Sequence, residues 1–369
     1  METILAPAPT EQVSPFAVIE KMNHEQVVLC HDADTGLKAI IAIHNTLLGP
    51  SLGGTRFWHY ANEADALTDV LRLSRGMTFK SSLAGLNLGG GKAVILGNPK
   101  KMKNEALLRR FGQFVNSLAG KYITAEDVGV DVNDMDIVRL ETEHVVGLPE
   151  DKGGGGDPSP VTAYGVFLGI KAGLQFTTGN DSVGGKKVLV QGVGKVGYHL
   201  VELLKKDNAE VIVHDISEDN LRRVAHDFGV EVLSKDEAHS LYETDCDIYA
   251  PCALGGTLNP TTIPQLKCFI VAGGANNQLL EEKRDGKALA ERGILYLPDF
   301  LINAGGVINV YSELEGYNRE RALRHCERIY NTALEVLTIA RDHEQTSHQA
   351  ALELATKRIE AIGRINKYR

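Results

Sequence analysis

Two lysines in a glycine-rich run, Lys80 and Lys92, are the side chains of this sequence best suited to do chemistry. The run extends from Gly76 to Lys92 and reads Gly-Met-Thr-Phe-Lys-Ser-Ser-Leu-Ala-Gly-Leu-Asn-Leu-Gly-Gly-Gly-Lys, with four glycines between the two lysines. Glycine lets the backbone adopt φ > 0 and approach a ligand or another segment closely. Two cations delivered to one small pocket suit an anionic substrate. They also suit an amine that must lose its proton, because a cationic neighbour and burial each lower an amine's pKa. A phosphate-cradling P-loop is excluded by the spelling, since Leu86 and Ala93 stand where that motif needs Gly and Ser or Thr. Taken alone, the pair reads equally well as two solvated surface lysines near a turn.

A second candidate is the acidic stretch Ala125-Glu126-Asp127-Val128-Gly129, which follows the short strand Tyr122-Ile123-Thr124. Carboxylates at the end of a strand are placed for function in α/β folds. The plainer reading of the same residues is a turn or helix N-cap.

The elements that must position these groups follow from the hydrophobic pattern. After a loose arm to about residue 14, the segments Phe16–Met22, Gln26–His31 and Leu37–His44 read as strands, with a turn at Asp34-Thr35-Gly36. Gly53-Gly54-Thr55-Arg56 permits close backbone approach, or is a simple loop. A helix capped by Asn62 runs from about Glu63 to Arg75 and stops at Gly76, leaving Lys80 just beyond its end. The run Ala93–Leu96 is a buried strand, and an amphipathic helix follows from about Glu105 to Leu118.

The strongest break in the chain is Gly153-Gly154-Gly155-Gly156-Asp157-Pro158-Ser159-Pro160, which reads as a hinge leading into a helix capped by Ser159. Beyond it, strand Lys187–Gln191 runs into Gly192-Val193-Gly194-Lys195-Val196-Gly197 and then a helix, and strand Glu210–His214 ends at Asp215. A bare G-x-G-x-x-G says little. Placed between strand and helix, with an acid eighteen residues past its last glycine, it is a dinucleotide fingerprint. The pyrophosphate belongs on the helix N-terminus and the ribose hydroxyls on Asp215, whose charge repels a 2′-phosphate and so favours NAD over NADP. Further strands end in Pro251-Cys252-Ala253, in Gly273-Gly274-Ala275-Asn276-Asn277 and in Pro298-Asp299. Asn276 and Asn303 are candidate carboxamide contacts or, as lone asparagines, turn residues. A long helix from about Asn318 to Arg341 and another from about His348 to Ile362 complete the chain.

Composition bounds the class. With 369 residues, 43% apolar and 24% charged, the chain is an ordinary globular protein of two or three domains. A net charge of −9 argues against nucleic acid or an anionic membrane as the main partner. Five cysteines without a CxxC pair fit a reducing cytosol. Twelve histidines without metal-ligand spacing give no reason to expect a metal. The first fifteen residues lack the features of a signal peptide, and no apolar run is long enough to span a bilayer, so a cytoplasmic location is expected.

A dinucleotide site together with two lysines and an aspartate fits amine chemistry better than hydroxy-acid oxidation, for which no histidine is well placed. The residues also resemble a known family. Leu86 to Pro99 is similar to the active-site signature of the glutamate/leucine/phenylalanine/valine dehydrogenases. Gly53–Arg56, Ile123–Gly129, Asp157–Gly165, Ala250–Ala253, Ala275–Gln278 and Asn303–Asn309 resemble its leucine-active branch. The resemblance implies an α/β fold of two domains with a cleft between them. One, residues 1–150 plus a C-terminal helix of about 345–369, binds substrate and forms the oligomer; the other, 151–344, is a Rossmann-type NAD-binding domain. It implies that Lys92 is the catalytic amine, that Asp127 assists proton transfer, and that Lys80 binds the substrate carboxylate. Asn276 would contact substrate or nicotinamide ribose, and Asn303 would serve the cofactor. Gly53 and Gly54 would shape the pocket floor, and Leu52, Ala125, Thr162, Val307 and Val310 would line the side-chain pocket. An apolar residue at Leu52, where the glutamate enzymes carry lysine, argues against glutamate. The implied reaction is NAD-dependent reversible deamination of leucine and other branched-chain L-amino acids. Phenylalanine and valine dehydrogenases share its mechanism and remain the alternative. A homo-octamer is the implied assembly.

Overall fold

The computed structural model describes residues 14–233 and 241–366. The expected N-terminal arm lies almost wholly outside the described residues, as do the last three positions of the expected C-terminal helix. The chain divides into two compact units. The first comprises residues up to Thr46, Pro50–Thr78 and Gly89–His144; the second comprises Leu47–Gly49, Phe79–Leu88 and everything from Val145 onward.

The first unit begins with helix α1 (Pro15–Met22), where the sequence pattern suggests a strand. Proline at the first helical position suits a helix start, and Val18, Ile19 and Met22 share one face that packs on Ile40, Ala42, Val70 and Leu71. Strands β1 (Gln26–Asp32) and β2 (Leu37–Asn45) form a hairpin turned at Gly36, and β3 (Ser51–Trp58) contains both Gly53 and Gly54, so that segment is not a loop. Helix α2 (Glu63–Leu83) passes through Gly76 without stopping. A glycine inside a helix costs only about 0.5–1 kcal/mol relative to alanine, and burial of Thr78, Ser81 and Ser82 beyond it carries the helix on. The helix closes at Gly85 instead, with φ +72 and its N–H on the Ser82 carbonyl. Lys80 therefore lies in the last turn.

Strand β4 (Gly89–Leu96) includes the three glycines and Lys92 itself, and α3 (Pro99–Met102), α4 (Glu105–Ser117), β5 (Tyr122–Ala125) and α5 (Val132–Arg139) follow. The sheet order is β1-β2-β4-β3-β5, with β1, β2 and β4 antiparallel and β3 parallel to both β4 and β5. A bulge in β2 between Ile43 and Asn45 faces Gly90 and Gly91.

That bulged residue, His44, is one of two buried imidazoles in edge-to-face contact, the other being His24. His44 hydrogen-bonds the Thr78 hydroxyl at 2.7 Å, and His24 reaches the Ser74 hydroxyl at 2.8 Å. Burial depresses both, from the ordinary 6.5 to about 4 for His24 and about 3 for His44. The native state thus holds both rings neutral, while the unfolded chain takes up protons as pH falls below 6.5. Their contribution to stability is complete above 6.5 and is lost as pH falls towards 3–4. Urea midpoints at about pH 7.5 and about pH 5 should converge for His44→Gln relative to the parent chain; an undiminished gap would remove His44 as a source of the acid sensitivity.

The second unit opens with α6 (Ser159–Thr178). Its cap differs from the expected one: Ser159 is the first helical residue, and the Asp157 carboxylate accepts its N–H at 2.9 Å. Then come β6 (Lys187–Gln191), α7 (Lys195–Lys206), β7 (Glu210–His214), α8 (Glu218–Phe228), β8 (Glu231–Val232), β9 (Ile248–Pro251), β10 (Ile270–Val271), α9 (Glu282–Glu291) and β11 (Leu295–Tyr296). The six strands are parallel in the order β11-β10-β9-β6-β7-β8, the 3-2-1-4-5-6 arrangement of a dinucleotide-binding sheet. Its topological switch point lies between β6 and β9. Helices α10 (Asp299–Ile302), α11 (Gly305–Tyr311), α12 (Arg319–Cys326), α13 (Arg328–Asp342) and α14 (Ser347–Asn366) complete the unit; the long helix expected over 318–341 is interrupted at Glu327. Helix α14 packs on the 79–88 segment, taking the Ser82 hydroxyl on the Ala355 carbonyl and sending Arg358 to the Leu86 carbonyl.

The glycine run at 153–156 lies inside this unit. Gly153 and Gly156 have φ +83 and +61. The Glu313 carboxylate accepts the N–H groups of Gly147 and Gly155, each at 2.9 Å.

Candidate active site

In the first unit the site is built on three adjacent strands. Lys92 projects from β4, and its Nζ meets Asp127 Oδ2 at 2.8 Å. Asp127 stands two residues past the end of β5. Lys92 is 7% exposed and sits in a buried ion pair, so the alternative of a solvated surface lysine does not hold for it. The glycines around it serve close packing of the protein's own backbone. A Cβ on Gly53 would lie 1.8 Å from the Gly91 carbonyl oxygen, and one on Gly90 would lie 2.2 Å from the Thr78 nitrogen. A Cβ on Gly54 would reach the Glu126 carbonyl at 2.2 Å and press on Asp127. The bare backbone is thus filled by strand β4, helix α2 and the Asp127 turn, and in this way fixes where Lys92 and Asp127 stand.

Leu52 and Ala125 belong to the same patch. Leu52 pairs across the sheet with Gly90 and Ile123, and Gly54 with Ala125; both apolar side chains are buried. The Tyr122 hydroxyl donates to the Gly53 carbonyl at 2.6 Å and so ties β5 to β3.

One functional partner escaped the sequence reading. Arg56, on β3 and on the same strand face as Gly54, donates through Nε to Asp127 Oδ2 at 3.2 Å. Burial pushes the Asp127 carboxyl up, but Lys92 and Arg56 outweigh it and lower it to about 2. Asp127 is therefore an anion at neutral pH, held by two cations. The signal was the arginine closing the Gly-Gly-Thr-Arg run; its partner is too distant in sequence to be read.

In the second unit, Lys80, Asn276 and Asn303 come together. Lys80 Nζ donates to Asn276 Oδ1 at 3.0 Å, and Asn303 Nδ2 donates to the same oxygen at 2.9 Å and to the Gly274 carbonyl at 3.2 Å. The buried Asn303 Oδ1 has no hydrogen-bond partner among the described residues. Asp299, which sequence alone marked only as a strand end, accepts the Gln278 and Phe300 N–H groups and holds this corner; burial raises its carboxyl. Thr162 on α6 donates to the Pro158 carbonyl and leaves no room for a side chain at Gly306, where a Cβ would lie 2.9 Å from its hydroxyl. Val307 and Val310 are buried on α11.

The fingerprint residues form a cradle at the switch point. Gly192 has φ +92, and a Cβ on Gly197 would lie 1.9 Å from its carbonyl oxygen, so strand and helix α7 close to backbone contact. The Cβ position of Gly194 is open, leaving free space at the α7 N-terminus for an anionic group. Val193 donates its N–H to Asp215 Oδ2 at 2.8 Å, and Ser217 donates to the other oxygen at 2.8 Å, which orients the carboxylate. Val196 lies within α7, and Lys195 is largely exposed, 3.7 Å from the Asp157 carboxylate. These features fit a dinucleotide.

Comparison with known proteins agrees with this geometry. Residues 24–144 match the Glu/Leu/Phe/Val dehydrogenase dimerisation domain, and residues 214–364 match the glutamate/leucine/phenylalanine/valine dehydrogenase domain. Leucine dehydrogenase of Thermoactinomyces intermedius is 54% identical over 347 residues, covering 94% of each chain. That of Bacillus subtilis is 53% identical over 349 residues, covering 95% of each. The crystal structure of L-tryptophan dehydrogenase from Nostoc punctiforme superposes with a TM-score of 0.80 at 45% identity, covering 94% of this chain and 99% of that one.

Proposed function

The chain belongs to the glutamate/leucine/phenylalanine/valine dehydrogenase family, and on that footing we propose that it catalyses NAD-dependent, reversible oxidative deamination of L-leucine and other branched-chain L-amino acids. The observation that carries the reading is the buried Lys92–Asp127 pair at 2.8 Å, in a chain more than half identical to leucine dehydrogenases over nearly its full length.

In the proposed reaction an amino acid, water and oxidised cofactor give a 2-oxo acid, ammonium, reduced cofactor and a proton. Lys80 takes the α-carboxylate as a charge-assisted hydrogen-bond donor. When bound, the nicotinamide ring supplies the hydride acceptor for Cα. Lys92 removes a proton from water as its oxygen adds to the iminium carbon. Asp127, an anion beside Lys92 in the resting site, assists the transfer of that proton from Lys92 to the amine nitrogen as the C–N bond breaks and ammonia leaves. Gly53 and Gly54 keep the floor of the site free of side chains. Leu52 and Ala125 of the first unit, and Thr162, Val307 and Val310 of the second, are proposed to meet the branched aliphatic side chain.

Gly192–Gly197 would hold the pyrophosphate at the α7 N-terminus, and Asp215 would accept the ribose hydroxyls. The oriented Asp215 carboxylate supports NAD over NADP. The unpartnered oxygen of Asn303 supports a contact to the nicotinamide carboxamide, beside Asn276. The proposal extends to a cytoplasmic homo-oligomer, an octamer by family resemblance. The match of residues 24–144 to a dimerisation domain supports assembly, and a monomeric mass by light scattering would refute it.

Initial rates with NAD⁺ across L-leucine, L-valine, L-isoleucine, L-phenylalanine and L-glutamate test the reading. Leucine should be fastest with its branched neighbours close behind, since one or two apolar side chains discriminate by only ~1–3 kcal/mol. Replacing NAD⁺ with NADP⁺ should lower the rate sharply. Preference for phenylalanine would keep the mechanism and overturn the pocket; silence on all five would overturn the function.

A further inference from the structure

The first unit carries a row of polar and charged groups that runs from Tyr60 to the proposed base, Lys92. The Tyr60 hydroxyl donates to Asp69 Oδ2 at 2.6 Å, and Arg56 donates to that same oxygen at 2.9 Å. Arg56 Nε then reaches Asp127 Oδ2 at 3.2 Å, and Lys92 Nζ reaches it at 2.8 Å. The side chains of Asp69, Arg56, Asp127 and Lys92 are 28%, 22%, 19% and 9% exposed. Two cations therefore converge on one carboxylate oxygen, largely shielded from water.

Resting on the mechanism above, we propose that Arg56 is a positioning residue for the reaction: by sharing Asp127 with Lys92, it limits how tightly that carboxylate holds the Lys92 ammonium. A general base must give up its proton to act. A carboxylate at 2.8 Å with no other partner favours the protonated amine. When the amine becomes neutral, such a carboxylate would also be left as a buried charge without a counter-ion, which is costly. Guanidinium does not deprotonate in proteins, so Arg56 supplies a cation that persists while Lys92 gains and loses its proton. Its own charge is secure: burial opposes it, but Asp127 and Asp69 more than compensate. The low Asp127 carboxyl agrees with a site where a second cation acts.

Asp127 is electrostatically coupled to Lys92 from β4, Arg56 from β3 and Tyr122 from β5. Tyr122 is buried, its phenol is raised by burial, and it keeps its proton on the Gly53 carbonyl. Arg56 in turn faces Asp69 from α2 and Tyr60 just ahead of that helix. Asp69 has an opposing effect: its negative charge competes with Asp127 for Arg56.

This arrangement predicts opposite displacements from two substitutions. The readout is the pH profile of kcat/KM for L-leucine with NAD⁺, using the full chain. Arg56→Met should move the acid limb to higher pH by about one unit, within the range an opposite charge at close distance exerts. At a pH on that limb, one unit is a tenfold loss of rate. Asp69→Asn keeps an oxygen for Tyr60 and Arg56 while removing the competing charge, and should move the limb to lower pH. Arg56→Lys, which retains a cation, should fall between the parent and Arg56→Met. A tie that merely holds β3 to α2 would lower kcat in the variants without driving the limbs apart. Limbs that stay in place, or move in the same direction, overturn the proposal. If Arg56→Met does not fold, Asp69→Asn alone decides, since an unmoved or raised limb is then sufficient to refute it. Lys92→Ala assayed beside them separates the two levels: if it remains active the mechanism itself fails, whereas an inactive Lys92→Ala with unmoved Arg56 and Asp69 profiles refutes only the role of Arg56.

Discussion

Lys92→Ala is expected to lose ~10²–10⁴-fold in kcat, the contribution of a positioned general base, while NADH binding changes little. Lys92 is a strand residue paired with Ala42 in β2, and alanine is compatible with that place in the sheet. The substitution leaves Asp127 with Arg56 as its remaining cation, so the carboxylate is not stranded. The loss should therefore appear in the chemical step and not in folding. Steady-state kinetics with leucine, together with NADH binding followed by fluorescence, checks this. A kcat within a few-fold of the parent, with ~10² as the minimum expected loss, would remove Lys92 from the mechanism.

Lys80→Ala should show the complementary pattern. A hydrogen bond to a charged group contributes ~1.5–3 kcal/mol, so KM for the amino acid should rise by roughly 10- to 100-fold. Lys80 already points at Asn276, and Asn303 donates to the same Asn276 oxygen, so the ammonium is held in place before any substrate arrives. Removing it takes away an anchor for the carboxylate and leaves the Lys92–Asp127 pair unaltered in composition. An unchanged KM would reject the anchor role. Read together, the two variants separate binding from proton transfer: a KM effect for one lysine and a kcat effect for the other.

The nucleotide-binding half was the more legible in sequence. Its strands are short apolar runs, its turns carry glycine at fixed offsets, and its acid follows at the expected distance, so each signal is local. The expected strand positions agree with the structure to within a residue or two, and the fingerprint leads directly into α7. Departures arose where tertiary packing overrides local preference. Phe16–Met22 has the apolar content of a strand but uses Val18, Ile19 and Met22 as one helical face. Gly76 looked like a stop because glycine is a poor helix former, yet the buried hydroxyls beyond it keep α2 intact. The strand expected to begin at Ala93 begins at Gly89, and the glycines before Lys92 are strand positions hemmed in by Gly53, Thr78 and Tyr122. Lys80 and Lys92 could be singled out from spacing and residue type, and Asp127 from its strand-end acidic stretch together with the family resemblance. Arg56 and Asp69 could not, because their value lies in reaching Asp127 from separate elements, and no local pattern encodes that meeting.

The close approach of Gly53 to the Gly91 carbonyl also bears on how such an enzyme can change substrate. Any side chain at Gly53 must displace main chain, so its tolerance for novelty is close to nil. The neighbouring Leu52 and Ala125, and Val307 and Val310 on a different element, end in methyl groups whose size can be altered without rewriting a hydrogen-bonded ladder. On the proposed roles, the tightly packed glycine frame and the replaceable apolar side chains are thus separate sets of residues. New amino-acid preferences could then be acquired by trading side-chain volume, with the residues proposed for the proton chemistry left unchanged.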